Sequence, residues 1–241
     1  MNQETKIQPK SIVISQSMYF PWCGLLNQIK YADFFVHYDD VQFARGFLNR
    51  VQAKTSNGLT WLTVPLQNKR RGQKINECII DYSQDWRTKH REILRNSYIK
   101  TPYLKMMLEI FDSVVSKEHK TLDQLSRESI HVLASAFEIK DTKFINSSDL
   151  SIGGKSSERL LNIVKFLKGD RYITGHGALN YLDKKIFDRN NIEIKLIKYK
   201  IAEWNQPFGE FTPYVTSLDC LANMGYAAKD CLQSSLIDIQ I

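Results

Sequence analysis

The chain has 241 residues, 43% of them hydrophobic and 24% charged, which is ordinary for a globular protein able to bury a sizeable core. Lys and Arg number 33 against 26 Asp and Glu, and this formal +7 suits anionic partners such as nucleotides, phosphorylated substrates or RNA, although lysines that merely solvate helix faces give the same balance. No apolar run is long enough to span a bilayer and the polar start MNQETKIQPK has no apolar signal core, so the sequence predicts a cytoplasmic protein without membrane insertion. The four cysteines, Cys23, Cys78, Cys220 and Cys231, show no C-x-x-C spacing, which points to reduced thiols rather than a metal site or a disulfide framework.

In chain order, the first strand is Ser11–Ser15 (SIVIS). It runs into QSMYFPWCG, whose Gln16, Tyr19, Pro21 and Trp22 are bulky for a mere connector, and then into a short helix over Leu25–Tyr31. A second strand, Phe34–Tyr38, ends in the paired Asp39 and Asp40 and leads through Gln42 to Asn49 and Arg50. After a strand at Leu59–Pro65 comes NKRRGQK, Asn68 to Lys74, which reads equally as a pyrophosphate grip or a solvated hairpin tip. Helices follow over Trp86–Ile99 and Tyr103–Lys117, divided at Thr101 and Pro102 because proline disfavours helix at the residue before it. A third helix spans Thr121–Phe137 with Thr121 as its N-cap. These three form a helical insertion or layer around residues 84–138. Strands at Lys143–Asn146, Arg171–Thr174 and Glu193–Tyr199 alternate with helices over Ser157–Leu167 and Tyr181–Asn190. The last helix is Ser217–Met224, with Ser217 as N-cap and Gly225 as C-cap. Such alternation predicts an α/β fold, a mainly parallel, Rossmann-like sheet flanked by helices, in one domain over residues 1–241.

Ligands of open α/β sheets sit beyond the carboxyl ends of the strands. Gln16, Tyr19, Trp22, Asp39, Asp40, Gln42, Asn49 and Arg50 are therefore expected on one rim, with QSMYFPWCG as a pocket wall. GHGALNYL follows the strand RYIT, and its Gly175 and Gly177 suit either backbone binding of phosphate or a tight turn. GGKSSERL places Lys155 and Arg159 near another helix start, but it lacks P-loop spacing. Asp219 and Asn223 lie one helical turn apart and share a face toward the pocket, unless the segment is only a helix capped by Ser217 and Gly225. No G-x-S-x-G elbow occurs, which disfavours a serine acyl-enzyme.

The motifs QSMYFPWCG, ADFFVHYDDVQF, LNR, TWLTVPL, DWRTKHREIL, YIKTPY, YITGHGALNYLD and QPFGEFTPYVTSLDCLANMG, in this order, resemble the WbqC-like proteins of bacterial polysaccharide gene clusters. The resemblance spans nearly the whole chain. It implies a transferase placing glycine on a nucleotide-linked amino sugar during O-antigen (lipopolysaccharide) synthesis. Cys23 and Ser15 depart from the family pattern, where an aliphatic residue and a histidine are usual. The opening strand, aromatic–Pro loop and ADFFV strand are also similar to the adenylate-forming ligases related to pantothenate synthetase, although the His pair of those enzymes is missing at Trp22–Gly24. That likeness implies ATP as a possible cofactor. The glycyl donor is open among glycine with ATP, glycyl-tRNA and a thioester carrier.

Amide formation needs a base for the amine proton and donors for the oxyanion. His90 is the base candidate, kept neutral by Lys89 and Arg91 beside it, although a surface histidine on a charged helix reads the same way. Asp40 is the alternative base. Its neighbour Asp39 is expected on the opposite face, since side chains alternate along a strand. Arg50 is the phosphate binder, because a guanidinium meets phosphate with two hydrogen bonds. Gln16, Tyr19, Trp22, Gln42, Asn49, Lys89, Lys155, Gly175, Gly177, Asp219 and Asn223 complete the expected substrate-binding set, and no metal ligands are expected. The rival reading is a sugar-nucleotide-binding protein of the assembly machinery that performs no chemistry.

Overall fold

A computed structural model describes residues 9–44, 46–68 and 70–239. Most of the N-terminal MNQETKIQPK reading, and Lys69 within the basic loop, lie outside the described residues. Five parallel strands, β1 (Ser11–Ser15), β2 (Phe34–His37), β5 (Lys143–Asn146), β6 (Arg171–Thr174) and β7 (Glu193–Lys198), form a sheet with the antiparallel edge strand β8 (Ser235–Asp238). The order is β5-β2-β1-β6-β7-β8, so the fold is the expected mostly parallel, Rossmann-like α/β sheet. β3 (Arg50–Thr55) and β4 (Gly58–Thr63) form a separate antiparallel hairpin. The strand expected at Leu59–Pro65 thus belongs to a hairpin outside the main sheet. β3 and β8 carried no clear signal, because RVQAKT and SLID mix polar with apolar residues.

Alternation along the strands explains why the sheet is covered twice. Val13, Phe35, Ile173 and Ile197 point into a core shared with α1 (Cys23–Lys30), α2 (Trp86–Ser97), α3 (Leu104–Val115), α4 (Leu122–Ala136) and α7 (Ser217–Met224). Ile12, Ile14, Val36, Tyr172, Ile194 and Leu196 face the other way, against α5 (Ser156–Phe166) and α6 (Lys184–Asp188). The expected helical layer is therefore α2–α4, and it packs into the same core as Val13 and Phe35. No helix among the described residues is long and apolar enough to cross a membrane. All four cysteines are buried.

Local chemistry sets the helix ends. The carboxylate of Asp85 accepts from Thr88 N (3.2 Å), and Thr121 forms a reciprocal capping box with Gln124 at the start of α4. At α7 the N-cap is Thr216, one residue before the expected Ser217, because the Thr216 hydroxyl accepts from Leu218 N. Gly225 closes that helix at φ 56°, the left-handed region that glycine tolerates. The helix expected at Tyr181–Asn190 is shorter, α6 (Lys184–Asp188) capped by Asp183, and a 3₁₀ turn over His176–Asn180 precedes it.

Gly169 gives the sheet its tightest approach. A Cβ there would lie 2.4 Å from Ile12 Cγ1 and 3.1 Å from Val164 Cγ1, between central strand and α5. Gly169→Ala is expected to lower the unfolding free energy by about 1–3 kcal/mol, the usual cost of overpacking. Urea denaturation checks this, and an unchanged midpoint would show that β1 and α5 yield without cost.

Candidate functional site

The strand order reverses between β1 and β6: the chain moves outward through β2 and β5 on one side, and through β7 and β8 on the other. At such a switch the two loops leaving neighbouring carboxyl ends diverge and leave a crevice. A cavity of about 1150 Å³ opens there, large enough for a nucleotide-sized ligand. Ile14, Ser15 and Gln16 line it from the end of β1, and Thr174, Gly175, His176 and Gly177 from the end of β6. Val41, Ala44, Gly46, Phe47 and Leu48 follow β2, and Val51 and Gln52 come from the hairpin.

Aromatic rings make much of the wall. Trp22 lies between Tyr199 and Tyr214, with ring centroids 5.1 and 5.6 Å away. Its indole folds back over Gly24, where a Cβ would come within 2.2 Å of the ring, so glycine is required for this placement. Gln28 donates to the Tyr199 hydroxyl, and that hydroxyl would lie 2.8 Å from a Cβ on Gly175. Tyr38, Tyr172 and Tyr181 complete the aromatic lining. Burial raises the pKa of Tyr38, Tyr172, Tyr181 and Tyr199, which keeps their phenols neutral. Tyr214 comes from a segment that Asp219 anchors. Trp204 Nε1 (2.7 Å), Tyr98 OH (2.8 Å) and Gln206 Nε2 (3.1 Å) all donate to its buried carboxylate.

Of the expected site residues, Gln16, Trp22, Gly175 and Gly177 meet at this cavity. Tyr19 and His90 meet elsewhere: both are buried in the core, with Tyr19 OH 3.1 Å from His90 Nδ1. The neutrality expected of His90 is present, its pKa pushed down to about 4, but burial is the first cause and Lys89 a lesser one. Arg91 is engaged by Asp112. Lys89 is exposed on α2.

The aspartates differ from the alternation argument, because β2 ends at His37 and the backbone beyond it is no longer a strand. Both Asp39 (2.9 Å) and Asp40 (2.5 Å) accept from the Ser147 hydroxyl. Burial alone would raise the Asp40 pKa, but Arg159 and Ser147 outweigh it and hold the carboxylate below its ordinary range, which weakens it as a base. Arg159 also lies over the Tyr38 ring at 5.0 Å, so the pair sits behind the cavity wall.

Asn49 Nδ2 donates to Val64 O (2.8 Å) and joins the segment before β3 to the end of β4. Gln42 is exposed and bridges to Lys74, and Lys155 is exposed next to the lining residue Ser156. Asp219 and Asn223 are structural partners, with Asn223 Nδ2 donating to Asp219 O (2.8 Å). Arg50 lies outside the lining, its guanidinium 4.4 Å over the Trp61 ring. Among the described residues no Lys, Arg, Asp or Glu lines the cavity, so its lining is neutral there.

Sequence reasoning passed over Tyr38, Phe47, Gln52, Tyr181, Tyr199 and Tyr214, and gave little weight to His176. The strand-end rule signalled Tyr38, Tyr199 and His176, each at or just beyond a strand terminus. Among the described residues no group of His, Cys, Asp or Glu is arranged to hold a metal ion.

The profile of the WbqC-like protein family matches residues 16–231. The chain is also similar to "Uncharacterized protein Rv1507c" of Mycobacterium tuberculosis (strain ATCC 25618 / H37Rv), 34% identical over 228 residues that cover 93% of this chain and 98% of that relative. No solved structure matches at a significant level.

The buried histidines make stability depend on pH. His90 is pushed down to about 4 and His37 to about 2, His37 by burial first and then by His131 and Arg127. Unfolded histidine titrates near 6.5, so below that pH the unfolded state binds more protons. Their contribution is fully present above pH 6.5 and is lost as the pH falls toward 4, roughly 3 kcal/mol for His90 alone. Asp123, pushed up to about 6, opposes them, since its folded form takes up the proton first. His131 is pushed down as well and Asp219 up, both by burial first, and the two large histidine shifts predict a lower urea midpoint at pH 5 than at pH 7.5. His90→Gln should flatten that pH dependence, and an unaltered slope would remove His90 as its source.

Proposed function

The chain belongs to the WbqC-like protein family, and on that premise we propose that it is an N-acyltransferase placing a glycyl group on the amine of a nucleotide-linked amino sugar, as in surface polysaccharide (O-antigen) synthesis. The observation that carries this reading is the cavity at the β1/β6 switch, with aromatic faces, neutral hydrogen-bonding groups and one imidazole. Aromatic rings suit stacking on a nucleobase or on the apolar face of a sugar. Glutamine amides and tyrosine hydroxyls suit its hydroxyl groups.

The reaction joins the sugar amine nitrogen to the glycyl carbonyl carbon and breaks the bond from that carbon to its activating group. The amine must lose a proton as the bond forms, and the leaving group accepts one. His176 is the lining residue suited to take that proton and pass it on, since Asp40 is ion-paired and His90 lies in the core. The side-chain amide of Gln16, which has no partner among the described residues, supplies N–H donors for the carbonyl oxygen as it becomes negative. Activated glycine is the co-substrate, as an ATP-derived adenylate, glycyl-tRNA or a thioester.

A second reading, a sugar-nucleotide-binding protein without chemistry, draws on the neutrality of the same lining. One assay separates the two. Nucleotide-linked amino sugars are incubated with glycine and ATP, with glycyl-tRNA, or with a glycyl thioester, and mass spectrometry follows the glycyl increment. Transfer is expected with one donor. His176→Gln is expected to lower kcat about 10²–10⁴-fold with KM little changed, whereas Asp40→Asn is expected to keep turnover. Full turnover in His176→Gln removes that residue as the base. Tight binding without transfer from any donor selects the second reading.

A further inference from the structure

Among the described residues the cavity lining has no Lys or Arg to hold a diphosphate. Moving phosphate charge into a wall without cations costs far more than stacking returns. Charge of that kind stays where water and a guanidinium meet it, and the cations near the lining differ in their availability. Lys54 is buried and donates to Gln206 Oε1 (3.0 Å) and Gly209 O (3.2 Å). Arg159 is held by Asp40. Lys155 is exposed and no hydrogen bond among the described residues fixes its ammonium.

Arg50 is placed differently. Its Nε donates to Gly46 O (2.9 Å), and Gly46 lines the cavity. Its guanidinium lies on Trp61, and the Trp61 ring is 5.7 Å from Phe47, another lining residue. Trp61 is also the cross-strand partner of Gln52, so the face carrying Gln52 into the cavity continues outward to Trp61. Phe47 is 59% and Trp61 37% exposed, an aromatic surface partly open to solvent beside the Arg50 guanidinium. The two terminal nitrogens of Arg50 make no hydrogen bond or ion pair among those residues. The fork is already flat and oriented, so little side-chain entropy remains to be lost when it binds an anion.

We propose that Arg50, laid on Trp61 beside Phe47, is a phosphate subsite at the mouth of the cavity that receives the diphosphate of a nucleoside diphosphate ligand. The interior takes the uncharged part of the same molecule. This rests on the reading that a nucleotide-linked substrate occupies the cavity, and it adds where the charge sits.

Titration calorimetry at low salt with inorganic pyrophosphate, and with the diphosphates of uridine, guanosine, thymidine and cytidine against the matching nucleosides, tests it. One diphosphate is expected to bind more tightly than its nucleoside. Arg50→Ala should weaken that diphosphate about 10- to 100-fold and leave the nucleoside unchanged. Arg50→Lys keeps the charge but loses the fork and the stacking, and should not restore affinity. Trp61→Leu, at a surface position, should weaken the diphosphate in the same direction, with thermal melts showing both variants folded. A wild-type protein with no preference for diphosphate over nucleoside, or an Arg50→Ala variant that keeps it, overturns the subsite. The transfer assay keeps the two readings apart. Glycyl transfer with unchanged KM in Arg50→Ala sinks the subsite alone, whereas Arg50-dependent diphosphate binding without transfer sinks the transferase alone.

Discussion

Parallel hydrogen bonding on both edges of β1 is the constraint from which the rest of the molecule follows. Val13 pairs with Phe35 on one side and with Ile173 on the other, so a five-residue strand is at once the first in sequence and a central one in space. Everything that leaves β1 toward β2 diverges from everything that leaves β6, and the cavity is the space between. Strand alternation then divides the core. The same five residues commit Val13 to the helical layer and Ile12 and Ile14 to α5 and α6. Gly169 follows from this division, since Ile12 needs the volume that a side chain there would occupy.

The cavity wall depends on polar anchors outside it. Asp219 is fully buried, and its desolvated carboxylate is tolerated because three donors converge on it. Through Trp204 and Gln206 it fixes the start of the segment that ends in Tyr214, and Lys54 fixes the intervening turn. The Thr216 hydroxyl donates to Phe20 O (2.9 Å), tying the other end of that segment to the loop that carries Trp22. Trp22 and Tyr214 come from opposite ends of the chain, and this set of hydrogen bonds is what brings their rings into contact.

The parts of this arrangement that a sequence makes legible are those with a local cause. β-branched runs mark β1, β6 and β7, Pro102 separates α2 from α3, and Thr121 announces α4. The strand-end rule places Gln16, Trp22, Gly175 and Gly177 at one site without reference to coordinates. It does not reach the partners of His90 and Arg50, because each contact is distant in sequence. Tyr19 lies 71 positions from His90 and turns a helix-surface pattern into a core one. Trp61 belongs to a strand that reads like any other, and only the hairpin register shows that it lies two pairs along from Arg50, on the same face. Asp40 is similar, for nothing near it in sequence announces Arg159, 119 positions away.

The chain has a net charge of +7, yet among the described residues no Lys, Arg, Asp or Glu lines the cavity, and this shapes the recognition open to it. Burial keeps the phenols of Tyr172, Tyr181 and Tyr199 neutral, so these tyrosines remain hydrogen-bond donors. Sites of that kind discriminate through loss more than through gain. A ligand lacking one hydroxyl leaves a buried phenol or amide unpaired, and an unpaired buried group costs more than the lost contact was worth. Under the proposed reading, selectivity among sugars falls to Gln16, Gln28, Gln52 and the tyrosines inside the cavity, and attraction to a diphosphate falls to Arg50 outside its wall.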